Sequence, residues 1–72
     1  MTMHRVKSSN IKAIGYDEPT KTMRVEFHSS GTYEFQNVSA AKHQRLMSAE
    51  SVGKHFQAHI RHSHDYRKLE DE

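Results

Sequence analysis

From Met23 to Gln36, apolar and polar residues alternate on either side of a Gly-containing break. Met-Arg-Val-Glu-Phe is followed by His-Ser-Ser-Gly and then by Thr-Tyr-Glu-Phe-Gln. A period of two is that of half-buried strands, and the break between the two runs is that of a hairpin. One face collects Met23, Val25, Phe27, Tyr33 and Phe35, and the other Arg24, Glu26, Thr32 and Glu34. Gly31 supplies the positive φ that a type I turn followed by a bulge requires. Upstream, Ile11 to Tyr16 predicts a first strand with conflicting faces, since Ile11 and Ala13 point one way and Ile14 and Tyr16 the other. Gly15 marks a bulge or a close backbone approach between them. Asp17 to Lys21, which contains Pro19, is a turn. Short connections make these three strands an antiparallel meander.

After Gln36 the period lengthens. Ser39 is an N-cap for a helix over Ala40 to Ala49, with Leu46, Met47, His43 and Ala40 as its buried stripe. A turn over Ser48 to Ser51 leads to a second helix, Val52 to Arg61, in which Val52, Phe56 and Ile60 recur every four residues. Farther on, Tyr66 and Leu69 are apolar and predict a tail pinned back onto the sheet. The expected fold is α+β: a three-stranded antiparallel β-meander packed on one face by two C-terminal helices, β-β-β-α-α. The domain is expected over 8–69, with a loosely held stretch at 1–7 and an acidic tail, Glu70, Asp71 and Glu72, at 70–72.

Composition narrows the class. The 72 residues make one domain, with 33% hydrophobic residues against roughly 45–50% in an average globular domain. So lean a core fits a monomer or a weak homodimer. Cysteine is absent, which excludes disulfides and thiolate metal sites. No apolar run approaches a membrane span, and no signal-peptide core is present, so a cytoplasmic protein without membrane contact is expected. The net charge of +2 is mild, but its distribution is uneven. Between Ser39 and Lys68 stand six Lys and Arg, two acids and five His.

Catalytic chemistry finds no foothold. There is no Cys and no Gly-x-Ser-x-Gly, and Gly15, Gly31 and Gly53 are isolated, so no phosphate loop exists. The chain is read as a non-enzyme without a cofactor. His55 and His59 stand at the i, i+4 spacing that can chelate an ion, yet the sequence between them lacks the Glu of His-Glu-x-x-His, and no metal site is assigned. What remains is a basic and aromatic surface. Lys54 and Arg61 share a stripe of the second helix, and Arg67 and Lys68 beside Tyr66 extend it. Such a stripe is either a solvated helix face with a charged tail or a surface that holds phosphates, with Tyr66 or a His stacking on a base. Tyr33 and Phe35 have two readings as well: core rings, or the stacking aromatics of a single-strand RNA-binding sheet.

An ordered set of short motifs carries a family resemblance over 8–69. It comprises Ser9-Asn10-Ile11, Gly15-Tyr16-Asp17, Val25-Glu26-Phe27 and Gly31-Thr32-Tyr33-Glu34-Phe35. It continues through Val38, Leu46, Ser51-x-Gly53-Lys54-x-Phe56, His59-Ile60-Arg61 and Tyr66-Arg67-x-Leu69. In these the chain resembles the KTSC domain, named for the C-terminal region of some lysyl-tRNA synthetases and found also as short free-standing proteins of bacteria and their phages. The family's Tyr-x-Tyr reads Tyr33-Glu34-Phe35 here, which removes one phenol, and Ser39 replaces a common Pro. The resemblance implies a small domain for which the synthetase association points to RNA. The leading expectation is therefore a non-catalytic binding module for RNA, either tRNA or a single strand, using Lys54, His59, Arg61, Tyr66 and Arg67. The alternative is a phage- or prophage-encoded protein-interaction or assembly module, using the free edge of the meander or exposed apolar residues such as Ile14 and Tyr16.

Overall fold

The structure, a computed structural model, describes residues 1–69. The acidic tail expected at 70–72 lies outside the described residues. Seven elements follow in order: β1 (Met3–Arg5), β2 (Ile11–Asp17), β3 (Thr22–Phe27), β4 (Gly31–Phe35), α1 (Ala40–Met47), α2 (Val52–His59) and β5 (Tyr66–Lys68). The strands form one antiparallel sheet in the order β1-β2-β3-β4-β5. The expected meander is its middle, so the sheet has five strands and not three. β1 comes from the stretch expected to be loosely held, and β5 from the segment expected only to pin the tail. Three residues are too few to show a period. Each short strand forms because its neighbour offers N–H and C=O groups that need partners.

The central hairpin pairs Met23 with Phe35 and Val25 with Tyr33, which gathers the apolar face the alternation predicts. Met23, Val25 and Phe35 are buried, while Phe27 and Tyr33 are half-buried. Gly31 turns the chain with φ of +88°, a conformation that side chains with a Cβ rarely adopt. The conflict along β2 is resolved by a register shift between Ile11 and Ala13, not at Gly15. The slip brings Ile11, opposite Phe27, to the same core face as Ile14, opposite Val25. Gly15 marks the close approach instead. A Cβ there would lie 2.6 Å from Met3 Sδ and 3.0 Å from the Thr2 carbonyl oxygen, so the chain entering β1 passes close over Gly15 and would have to shift for any larger residue.

Both helices start at a serine. Ser39 Oγ accepts from the Lys42 N–H (3.2 Å), and Ser51 Oγ accepts from the Lys54 N–H (3.4 Å). Leu46, Val52, Phe56 and Ile60 then pack onto Ile11, Ile14, Met23, Val25, Phe35 and Val38. Ala40, expected in the buried stripe, is exposed, because α1 crosses the sheet through Leu46 with His43 and Met47 half-buried beside it. Phe56 meets Phe35 and Phe27 at steep interplanar angles, with ring centres 5.2 and 5.7 Å away. No helix among the described residues is long and apolar enough to cross a membrane.

At the β2 end this layer is sealed. The His43 ring lies flat on Tyr16, 4.5 Å away and 9° from parallel, and the Tyr16 hydroxyl donates to the Val38 carbonyl. Burial, with a smaller contribution from His4, holds the His43 imidazole below its ordinary pKa. Ile14, expected as an exposed apolar residue, is fully buried, and Tyr16 is half-buried.

Candidate nucleic-acid interface

At the other end of the sheet a cleft of about 290 Å³ opens between α2, the β3–β4 turn and β5. Its deepest lining is Phe35 and Phe56, which the core already buries. Phe27, Tyr33 and Tyr66 add aromatic walls, and Tyr66 is 54% exposed. The Tyr66 ring leans on Phe35 at 5.3 Å and on Tyr33 at 5.9 Å, so it is held from the chain side and open on the solvent side. The polar rim comes from three places: Gln57 and Arg61 on or just after α2, Asn10 before β2, and Ser29 with Ser30 in the turn. Gln57 and Arg61 are one helical turn apart, and Arg61 Nη1 donates to Gln57 Oε1 (3.1 Å). That bond orients the guanidinium. Among the described residues it engages one of its five N–H groups and leaves the Gln57 amide N–H groups without a partner.

β5 contributes by alternation. Tyr66 pairs with Phe35 and Lys68 with Tyr33, which puts both on the cleft side of the sheet. Lys68 Cε approaches the turn, 3.2 Å from the position a Cβ on Gly31 would take. Arg67 pairs with Glu34 and points to the opposite face. There Glu34, only 7% exposed, accepts from Arg24 Nε (3.0 Å), Gln36 Nε2 (3.3 Å), and Arg67 Nε and Nη2 (3.4 and 3.2 Å). Desolvation is the largest single influence on this carboxyl and pushes its pKa up. The bonds from Arg24, Arg67 and Gln36, with the Arg67 charge, together outweigh it and hold the pKa low.

The five residues expected to form one site are thus divided. Arg61 and Tyr66 meet in the cleft. Lys54 is exposed two turns before Arg61 and does not line it. His59 faces a separate groove with His55, Lys42 and Arg45, its ring 4.5 Å from that of His55. Arg67 lies across the sheet. Residues absent from the expected set take their places: Tyr33 and Phe27 as walls, Gln57 and Asn10 on the rim, and Lys68 near the mouth. The signal for Lys68 lay in the sequence, because a strand at 66–68 must split neighbours 67 and 68 between two faces.

Chemically, the cleft offers flat apolar rings with donors and a cation at its edge, which suits a planar group carrying acceptors and a nearby negative charge. Metal chemistry has no comparable support. Among the described residues no three His, Asp or Glu gather as a ligand set, and the His55–His59 pair lies beside two cations.

Comparison with known proteins assigns this architecture. The KTSC domain model matches residues 7–66. An uncharacterized protein of Stutzerimonas stutzeri is 35% identical over 51 residues, which are 71% of this chain and 72% of that protein. A lysine–tRNA ligase of Nostoc punctiforme is 32% identical over 63 residues, 88% of this chain but only 11% of the ligase. The crystal structure of a KTSC domain protein from Yersinia pestis superposes with a TM-score of 0.94 at 35% identity, over 96% of this chain and 97% of that one. The five-stranded sheet, its two helices and the matched residues together place this chain in the KTSC domain family.

Proposed function

We propose that the domain is a non-catalytic RNA-binding module that accepts an unstacked base of a single-stranded segment in the cleft between α2 and β5. One observation carries this reading: Tyr66 stands half in solvent beside Arg61, over an aromatic floor, in a cleft sized for one flat group. A volume of about 290 Å³ lies at the low end of small-ligand pockets, which span roughly 300–1,000 Å³. Aromatic stacking with Arg at the edge is how proteins hold splayed bases of single strands, whereas duplexes keep their bases stacked away. The ligase relative works with tRNA, as its name states, and the stretch of it that matches this chain covers 63 residues. The protein-interaction alternative has less support. Ile14 is buried, and β1 and β5 cover the edges of the central meander, which leaves as sheet edges two strands of only three residues each.

Fluorescence anisotropy with a labelled single-stranded RNA, its duplex and a tRNA tests the reading. Single-stranded RNA should bind in preference to duplex, and Arg61→Ala should weaken it about tenfold or more, the size of a lost charge-assisted hydrogen bond. Equal affinity for duplex, or an Arg61→Ala protein that folds and binds like wild type, would remove the cleft from consideration.

A further inference from the structure

β5 carries two neighbouring cations that the sheet sends to opposite faces, and we infer that they have different tasks at the cleft. Lys68 contacts a phosphate of the bound strand, and Arg67 is a positioning residue that pins β5 so that Tyr66 stands in the cleft wall. The inference rests on the RNA reading of the cleft.

The division follows from register. Lys68 sits opposite Tyr33, on the cleft side, with its stem against the turn at Gly31. The ion pairs among the described residues are Lys12–Glu26, Arg24–Glu34 and Arg67–Glu34, so no described carboxylate neutralises Lys68. Lys68 does not line the cleft, but its ammonium stands on a long stem beside the turn whose Ser29 and Ser30 rim it, within reach of the backbone of a strand whose base lies inside. Arg67 is spent differently. Two of its nitrogens converge on one oxygen of the buried Glu34 carboxylate, whose other oxygen is taken by Arg24.

β5 needs such a pin. It is an edge strand of three residues, and its ends are tied by Gln36 N–H to the Asp65 carbonyl and Leu69 N–H to the Thr32 carbonyl, both 2.8 Å. Short edge segments with exposed backbone bonds open locally at low cost. Tyr66 lies between these ties, so each opening of β5 takes away one wall of the cleft. The Arg67–Glu34 pair lowers the frequency of opening from the far face without touching the ligand.

The two roles separate by salt. Binding of a labelled single-stranded RNA is measured by anisotropy at several salt concentrations, and Leu69 amide hydrogen exchange is followed without RNA. Lys68→Ala should reduce the slope of log affinity against log salt by about 0.7, the share of one phosphate contact on a single strand, and leave Leu69 exchange unchanged. Arg67→Ala should lower affinity several-fold at every salt concentration, keep the slope, and speed Leu69 exchange. Arg67→Lys, which keeps the charge but loses the planar fork, should keep the slope and exchange at an intermediate rate. An Arg67→Ala protein with a reduced slope and unchanged exchange overturns the assignment, as does a Lys68→Ala protein with the full slope. If wild type binds no RNA at low salt, the RNA reading and the role of Lys68 fall together. The Leu69 exchange rate in Arg67→Ala still decides whether Arg67 pins β5.

Discussion

The two ends of the helical layer treat their sheet tyrosines in opposite ways. Over β2, α1 lays His43 flat on Tyr16, and the Tyr16 hydroxyl is taken by the Val38 carbonyl. The chain has stacked its own ring on that face and satisfied the polar tip. Over β4 and β5, Tyr66 leans on Phe35 and Tyr33 from one side, and a cleft edged by Arg61 opens beside it. An aromatic residue on a sheet is thus no binding signal in itself. What differs is the face left open: Tyr16 has His43 flat on it and its hydroxyl bonded, whereas Tyr66 meets rings on its chain side and keeps its other side to solvent.

Phe56 joins the two ends, since it packs on Phe27 and Phe35 under the cleft and belongs to the common core. Phe56→Ala should therefore destabilise the whole domain by about 3–5 kcal/mol in thermal or chemical unfolding. A curve matching wild type would mean that α2 does not pack as described. Next in size, Tyr66→Ala should cost about 1–3 kcal/mol of RNA binding, the usual contribution of one stacked base, with little change in melting. Tyr16→Phe sharpens the contrast from the sealed end. It should leave RNA affinity intact and lower stability by about 1 kcal/mol through the lost hydrogen bond to Val38. Reversal of that pattern, with Tyr16→Phe weakening RNA and Tyr66→Ala not, would place the binding face at the wrong end.

The smallest effect is one of pH. His43 has its folded pKa depressed, so the unfolded chain takes up the proton more readily. Its contribution to stability is complete above the ordinary imidazole value of about 6.5 and declines as pH falls below it. Glu34 also has a depressed folded pKa, which places its loss lower. That stabilisation is complete above the ordinary carboxylate value of about 4.3 and disappears as pH falls through the folded pKa. His43→Phe should retain the stack on Tyr16 and flatten the stability profile between about pH 7 and 5, leaving the drop at lower pH. Urea midpoints across that range measure it, and an unchanged slope would mean that His43 is not the group responsible.

Much of this architecture was legible. Alternation over 23–36 gave the hairpin and its apolar face, and the i, i+4 recurrence of Val52, Phe56 and Ile60 gave the buried side of α2. The edge strands were not legible. Met-His-Arg and Tyr-Arg-Lys are too short to show a period, and they pair only because the meander already exists. The same shortness bears on the site. Without a strand at 66–68, Arg67 joined Lys54 and Arg61 in one basic stripe, although pleating sends it to Glu34. His59 and Arg61 are separated as well: His59 ends α2 with its ring against His55, while Arg61 lies beyond Ile60, where the backbone has left helical geometry, and bonds to Gln57 at the cleft. Arg61 and Tyr66 survived as neighbours. The helix end and the strand start that carry them converge on the same cleft, a long-range relation that no local pattern encodes.

An amide NMR titration of the labelled protein with a single-stranded RNA, at low and at near-physiological salt, tests the central claim most directly. The account predicts shifts concentrated at 27–33, 57–61 and 66–68 that shrink as salt rises, with Tyr16 and His43 unmoved. Shifts centred on His55, His59, Lys42 and Arg45, or diffuse shifts that vanish at modest salt, would contradict it.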